Sequence, residues 1–228
     1  MNTFAFIFAR GGSKGLPKKN VKLLAGKPMI CYSIDVALAS NKIDKVFVST
    51  DDSEIAEISR NAGAEVINRP SSLAQDNSSE WLAWRHAVEW VESKYGQFSI
   101  FISLPATSPL RNIDDIANAV DQLNTSEADI CISVTKASRS PYFNMVVRHE
   151  NRVALVIEPT ENVFRRQDAP EVFDITTVVY ATTPTYVMEK NGLFEGAVTS
   201  IEVPKERAVD IDDIYDFRFA EVLMNEMR

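Results

Sequence analysis

Residues 10–20 read Arg-Gly-Gly-Ser-Lys-Gly-Leu-Pro-Lys-Lys-Asn, a run with four cations and no acid. Arg10, Lys14 and Lys19 can neutralise a polyphosphate. Gly11, Gly12 and Gly15 can turn the backbone sharply and bring its N–H groups against phosphate oxygens. The run satisfies neither G-x-x-x-x-G-K-[ST] nor G-x-G-x-x-G, so it is an anion cradle of another kind. Near the other end of the chain, Asp210-Ile-Asp212 places two carboxylates at alternate positions of an extended segment. Both can face one hard cation, and Mg²⁺ is commonly held by one or two carboxylates plus phosphate oxygens. The competing use is structural, because Asp212 or Asp213 can cap the helix that follows.

Two further segments offer polar groups. In Leu104-Pro-Ala-Thr-Ser-Pro-Leu-Arg111 the prolines stiffen a loop around Thr107 and Ser108, and Arg111 carries a fork suited to a carboxylate or phosphate. The same prolines also suit a plain strand-to-helix turn. Arg69-Pro70 and Asp76-Asn-Ser-Ser79 precede a helix whose free N–H groups could read a base or ribose edge, with simple capping by Ser79 as the alternative. His86 and His149 have no partner pattern for a nucleophilic triad.

The elements that must position these groups follow from periodicity. Residues 3–9 form an apolar run that predicts a strand buried on both faces, and helical spacing follows over 28–40. Strands are predicted at 45–50, 65–68, 98–104 and 129–134, with helices at 53–62, 79–94 and 113–123 between them. This alternation predicts an α/β fold with an open, mostly parallel sheet and helices on both faces, its ligands beyond the carboxyl ends of the strands. That rim would gather Arg10, Asp51 and residues 104–111. After residue 134 the rhythm breaks into short stretches at 144–149 and 152–157. We read 138–175 as a hairpin-type insertion serving dimerisation, within a single domain spanning 1–228. A strand at 176–181, a short helix at 184–190, a strand at 199–203 and a helix at 214–227 complete the pattern.

Composition limits the partners. The net charge of −8 argues against a general nucleic-acid binder, although residues 1–34 contain six basic side chains and no acid. No apolar run is long enough to span a membrane and no secretory leader is evident, so a cytoplasmic location is expected. Cys31 and Cys131 sit in apolar runs and read as buried free thiols.

With these motifs assembled, the chain resembles the acylneuraminate cytidylyltransferase (CMP-sialic acid synthetase) family over residues 4–221. The carriers are the run from Ala9 to Asn20, Ser49-Thr-Asp51, Arg69-Pro70, Thr107-Ser-Pro-Leu-Arg111 and Asp210-Ile-Asp212. The resemblance implies a Rossmann-like core, CTP as donor, Mg²⁺ as cofactor and a homodimer. It also implies transfer of CMP to the anomeric hydroxyl of a 2-keto sugar acid of cell-surface polysaccharides, with release of pyrophosphate. Arg10, Lys14 and Asn20 would meet the triphosphate, assisted by Gly11, Gly12 and Lys19, and Arg69 and Ser79 would line the nucleotide pocket. Asp210 and Asp212 would hold the metal and, with Arg10 and Lys14, form the catalytic set. Pro105, Thr107, Ser108, Arg111, Asp174 and Thr176 would face the sugar, joined by Arg166 from the neighbouring subunit.

Two departures bear on the sugar. Sialate-activating members commonly carry Gln-Pro where this chain has Pro105-Ala106, and Arg-Pro-Asn-Gly where Asp174-Ile-Thr-Thr177 stands. Legionaminate and pseudaminate therefore join N-acetylneuraminate as expected acceptors. The rivals are activation of the eight-carbon acid Kdo, another sugar nucleotidylyl transfer, and a nucleotide-binding regulatory module without turnover.

Overall fold

A computed structural model describes residues 2–158 and 165–226. Strand β1 (Thr3–Phe8) has no polar face, so it can rest only where both faces are covered. The two-residue strands β2 (Leu23–Leu24) and β3 (Lys27–Pro28) then lead into helix α1 (Met29–Ala39). The alternation continues through β4 (Lys45–Thr50), α2 (Ser53–Asn61), β5 (Glu65–Asn68), α3 (Glu80–Tyr95), β6 (Ile100–Ser103), α4 (Ile113–Thr125) and β7 (Ile130–Lys136). A separate hairpin, β8 (Val146–His149) with β9 (Arg152–Leu155), follows. The chain closes with β10 (Phe173–Thr182), α5 (Pro184–Glu189), β11 (Val198–Glu202) and α6 (Ile214–Glu226).

Seven strands form one sheet in the order β11-β7-β10-β6-β1-β4-β5. The α/β class with a mostly parallel sheet is as expected. Alternation along β1 divides the core, with Ala5 and Ile7 on an aliphatic side shared with α1 and α4. Phe4 and Phe6 face α3, where Phe6 stacks on Phe101 with ring centroids 4.5 Å apart. A third apolar cluster lies beneath the carboxyl-end rim and joins Leu16, Leu110 and Ile211 to Phe217 and Met224 of α6. Among the described residues no helix is long and apolar enough to cross a membrane.

One strand departs from the parallel plan. β10 runs antiparallel between β6 and β7. The chain leaves β7 at the rim and returns there, so its next strand must run back down the sheet and needs no crossover helix. The β10–β7 register slips between Thr176 and Tyr180, and the buried Ser133 hydroxyl fills the gap. It donates to the Thr176 carbonyl at 3.0 Å and accepts from the Val179 N–H at 3.0 Å and from the Thr176 hydroxyl at 2.8 Å. The β8–β9 hairpin lies within the expected insertion, with its valines exposed. Residues 159–164 of that insertion lie outside the described residues.

The segment from β11 to α6, which carries Asp210 and Asp212, is fastened along its length. Val203 N–H donates to the Val134 carbonyl at 2.7 Å, and Ile211 N–H to the Thr107 carbonyl at 2.9 Å. Between them Arg207 grips Asp115 with two nitrogens, at 2.8 and 3.2 Å. Asp115 also closes a capping box with Asn112 at the start of α4 and is only 2% exposed. Removing its partner strands a buried carboxylate, so Arg207→Met should lower unfolding free energy by about 2 kcal/mol. Arg207→Lys, which keeps the charge, should lose less. Urea denaturation checks this, and a loss under about 0.5 kcal/mol for Arg207→Met would dismiss the pair as an anchor.

Candidate active site

The cationic loop starts where β1 stops. Ala9 N–H still bonds the Ser49 carbonyl of β4 at 3.0 Å, and beyond it Asn20 closes the base of the loop by donating its side-chain amide to the Arg10 carbonyl at 3.1 Å. Gly11 N–H donates to an Asp51 carboxylate oxygen at 3.1 Å. None of the three glycines adopts a left-handed φ. A Cβ on Gly15 would stand 2.4 Å from the Asp212 carbonyl oxygen, and one on Gly11 2.7 Å from Asp52 Oδ2. Gly12 has open space. Gly11 and Gly15 are thus required for close approach, and Gly15 is the point where the loop touches the aspartate segment.

Lys19 secures that contact. Its side chain is only 13% exposed, and its Nζ donates to the Ile211 carbonyl at 2.7 Å and to Asp212 Oδ1 at 3.1 Å. Lys19 therefore straps the cationic loop to the carboxylates and has less freedom to serve a nucleotide than Arg10 or Lys14. Ile211 is buried in the third cluster. Its two neighbours, Asp210 and Asp212, line the cleft described below.

Helix capping falls to other acids. Asp213 Oδ1 accepts from the N–H groups of Tyr215 and Asp216, at 2.7 and 3.1 Å, while Asp216 Oδ2 accepts from those of Asp212 and Asp213, both at 3.0 Å. Asp210 and Asp212 are thereby spared. Burial raises the Asp210 pKa, opposed by hydrogen bonds from Thr107 and Thr177, with the Asp212 charge raising it further. Its Oδ1 is buried with no hydrogen-bond partner among the described residues. A bare carboxylate oxygen beside a second carboxylate fits a hard cation. Among the described residues no group of three or more His, Cys, Asp or Glu could cage a metal. An ion here would draw its remaining ligands from substrate oxygens and water.

These groups open onto a cleft of about 370 Å³ whose lining includes Phe8, Arg10, Arg69, Asp76, Tyr180 and Asp210. Arg69 is nearly buried. It donates to the Ser49 carbonyl at 2.5 Å and hydroxyl at 3.2 Å, lies over the Phe8 ring, and has its pKa lowered by burial. Across the mouth of the cleft Asp76 meets Arg10 at 2.7 Å and Lys14 at 2.5 Å. Ser79 caps α3, accepting from Trp81 N–H at 3.2 Å, and its neighbours Ser78 and Glu80 line the cleft in its place.

On the opposite wall the expectations divide. Pro105 and Thr107 line the cleft, whereas Ser108 is buried and shares a hydrogen bond with the Thr177 hydroxyl at 2.6 Å. Arg111 is corrected from substrate fork to internal strut. It is 5% exposed, and its terminal nitrogens donate to the Ser33 hydroxyl and to the Pro105 and Thr177 carbonyls. Burial pushes its pKa down to about 9. Thr176 turns into the sheet against Ser133, and Asp174 pairs opposite Thr135 away from the cleft. The slip in β10 presents Thr177 and Tyr180 in their stead; Thr177 closes the segment 174–177 that the sequence tied to the sugar, whereas Tyr180 went unmarked because no composition signal reports a change of register. The side chain of Arg166 lies outside the described residues.

A family model described as cytidylyltransferase matches residues 4–224. The chain is 33% identical to the CMP-N,N'-diacetyllegionaminic acid synthase of Campylobacter jejuni, covering 96% of this chain and 93% of that protein. It is 30% identical to a pseudaminic acid cytidylyltransferase of Campylobacter jejuni, covering 98% and 96%. Among solved structures, a CMP:2-keto-3-deoxy-manno-octonic acid synthetase complexed with CTP superposes over the whole of both chains with a TM-score of 0.74 at 18% identity, a likeness of fold.

The glycine contacts carry a test. Gly15→Ala must push the loop off Asp212 and should weaken nucleoside triphosphate binding by about tenfold, while Gly12→Ala stays within about twofold. Titration calorimetry on both variants checks this, and equal losses would break the link between loop contact and ligand affinity.

Proposed function

The chain belongs to the cytidylyltransferase family, and from that premise we propose that it transfers CMP from CTP to the anomeric hydroxyl of a nonulosonic sugar acid, releasing pyrophosphate. The observation that carries the reading is the meeting of the cationic loop with the aspartate segment at one cleft, through Gly15 and Lys19. A site for a polyphosphate alone has no use for a buried, unpartnered carboxylate oxygen at Asp210. We assign the reaction to the cytoplasm, where CTP is available.

In this reading Arg10 and Lys14 pair with the triphosphate, and the loop that Gly11 and Gly15 let settle against Asp52 and Asp212 lays its backbone beside it. Arg69, held rigid by Ser49, presents its charge beside the nucleotide. Thr107, Thr177 and Tyr180 form the wall toward the sugar acid, with Pro105 and Ala106 beside them. The hydroxyl oxygen attacks the α-phosphorus and gives its proton to the Asp212 carboxylate, from which it passes to water. The bond from the α-phosphorus to the bridging oxygen of the β-phosphate breaks, and pyrophosphate leaves. Arg10 and Lys14 offset the charge that gathers on the leaving pyrophosphate. Asp210 and Asp212 fit Mg²⁺, which when bound would offset the negative charge on phosphate oxygens. No protein nucleophile is needed, because positioning and electrostatics suffice for transfer of this kind.

The chemistry is tested by pyrophosphate release with CTP across legionaminate, pseudaminate, N-acetylneuraminate and Kdo. A nine-carbon acid should be the preferred acceptor, and Asp210→Asn should cost more than about tenfold in turnover and weaken Mn²⁺ binding while leaving the melting temperature near wild type. Preference for Kdo, or wild-type turnover of Asp210→Asn at limiting Mg²⁺, would overturn the assignment.

We also propose a homodimer joined through residues 138–175. The support is the hairpin, where Val146 and Val153 are among the most exposed apolar side chains of the described residues. Light scattering should find a dimer that Val146→Glu with Val153→Glu converts to monomer. A wild-type monomer at micromolar concentration would end this part of the reading.

A further inference from the structure

The four basic side chains of residues 10–20 bring no acid of their own, so their counter-charges come from elsewhere in the fold. Lys18 pairs with Glu54 and Lys19 with Asp212. Arg10 and Lys14, the two cations assigned to the triphosphate, share one partner. Asp76 gives Oδ1 to Arg10 at 2.7 Å and Oδ2 to Lys14 at 2.5 Å. Among the described residues no other acid meets both.

Asp76 belongs to the segment between β5 and α3, which holds its shape without that carboxylate. Leu73 N–H bonds the Pro70 carbonyl, Ser78 N–H the Gln75 carbonyl, and the Ser78 hydroxyl the Ser72 carbonyl at 2.9 Å. The Asp76 side chain has no described hydrogen bond beyond the two cations, and it is half exposed at the cleft mouth. Lys14 and Arg10 hold its carboxyl below the usual carboxylate range, so it remains an anion through neutral pH. One negative charge set against two positive ones leaves an excess that still attracts a polyphosphate. Exposed ion pairs of this kind are weak and exchange readily.

Resting on the reading above, we infer that Asp76 is an internal counter-anion that competes with the β- and γ-phosphates for Arg10 and Lys14, and so hastens the departure of pyrophosphate. Arrival of CTP displaces the carboxylate from both cations. After transfer, the carboxylate returns to them and lowers the affinity for the product. A nucleotide with only an α-phosphate does not contest these cations and leaves Asp76 where it is.

The opposite role, in which Asp76 holds Arg10 and Lys14 ready for phosphate, predicts the opposite sign. Calorimetry of wild type, Asp76→Asn and Asp76→Ser with CTP, pyrophosphate and CMP separates the two. Both variants should bind pyrophosphate and CTP about threefold to tenfold more tightly, with CMP within about twofold. In a Lys14→Gln background the gain from Asp76→Asn should shrink. Weaker or unchanged pyrophosphate binding in the variants, or equal tightening of CMP, would overturn the inference. If wild-type protein bound neither CTP nor pyrophosphate, the functional reading itself would fall, an outcome distinct from the first.

Discussion

The cleft depends on the clasp between Lys19 and the Ile211 carbonyl, backed by the contact of Gly15 with Asp212. The two segments stand at opposite ends of the chain. Their meeting is stabilised from below by an apolar cluster in which Leu16, Leu110 and Ile211, one from each of three rim loops, pack on α6. Burying those side chains draws the loops together without direction, and the clasp supplies the direction. Cations and carboxylates that would be unrelated charges on a disordered chain become two sides of one pocket.

Around that clasp, neighbours take over the structural duties that would otherwise occupy the reactive groups. Asp213 and Asp216 cap α6, so Asp210 and Asp212 need not. Arg207 and Asp115 fasten the aspartate segment to α4, and Arg111 braces the 105–111 loop from within. The result is a carboxylate segment held by backbone and packing, with Asp210 Oδ1 left for a ligand. An unpartnered buried oxygen is costly, and such a cost persists where the surrounding structure over-determines it.

The wall proposed to face the acceptor has a different origin. Pro105 follows strand β6 and Thr177 lies in β10, which enters the sheet antiparallel beside β6, and Arg111 ties their carbonyls together. Pro105 and Thr177, one from each of the two segments read as departing from sialate-activating members, therefore line one cleft. A change in either alters the same pocket.

Much of this protein was legible in its residues. The buried apolar run of β1, the strand and helix alternation, the cationic loop and the paired aspartates all follow from local periodicity and charge, which operate over a few residues and need no knowledge of the fold. The rim on which ligands gather follows from parallel topology alone. Arg111, Thr176 and Ser79 were less accessible, because the same side chain can serve a ligand, a cap or the core, and only burial and partners decide among those uses. The tertiary structure alone decided that Thr177 and Tyr180 face the cleft and that Asp76 meets Arg10 and Lys14. Strand order, a slip in register and the approach of distant loops set those contacts, and such long-range constraints leave no periodic trace in the sequence.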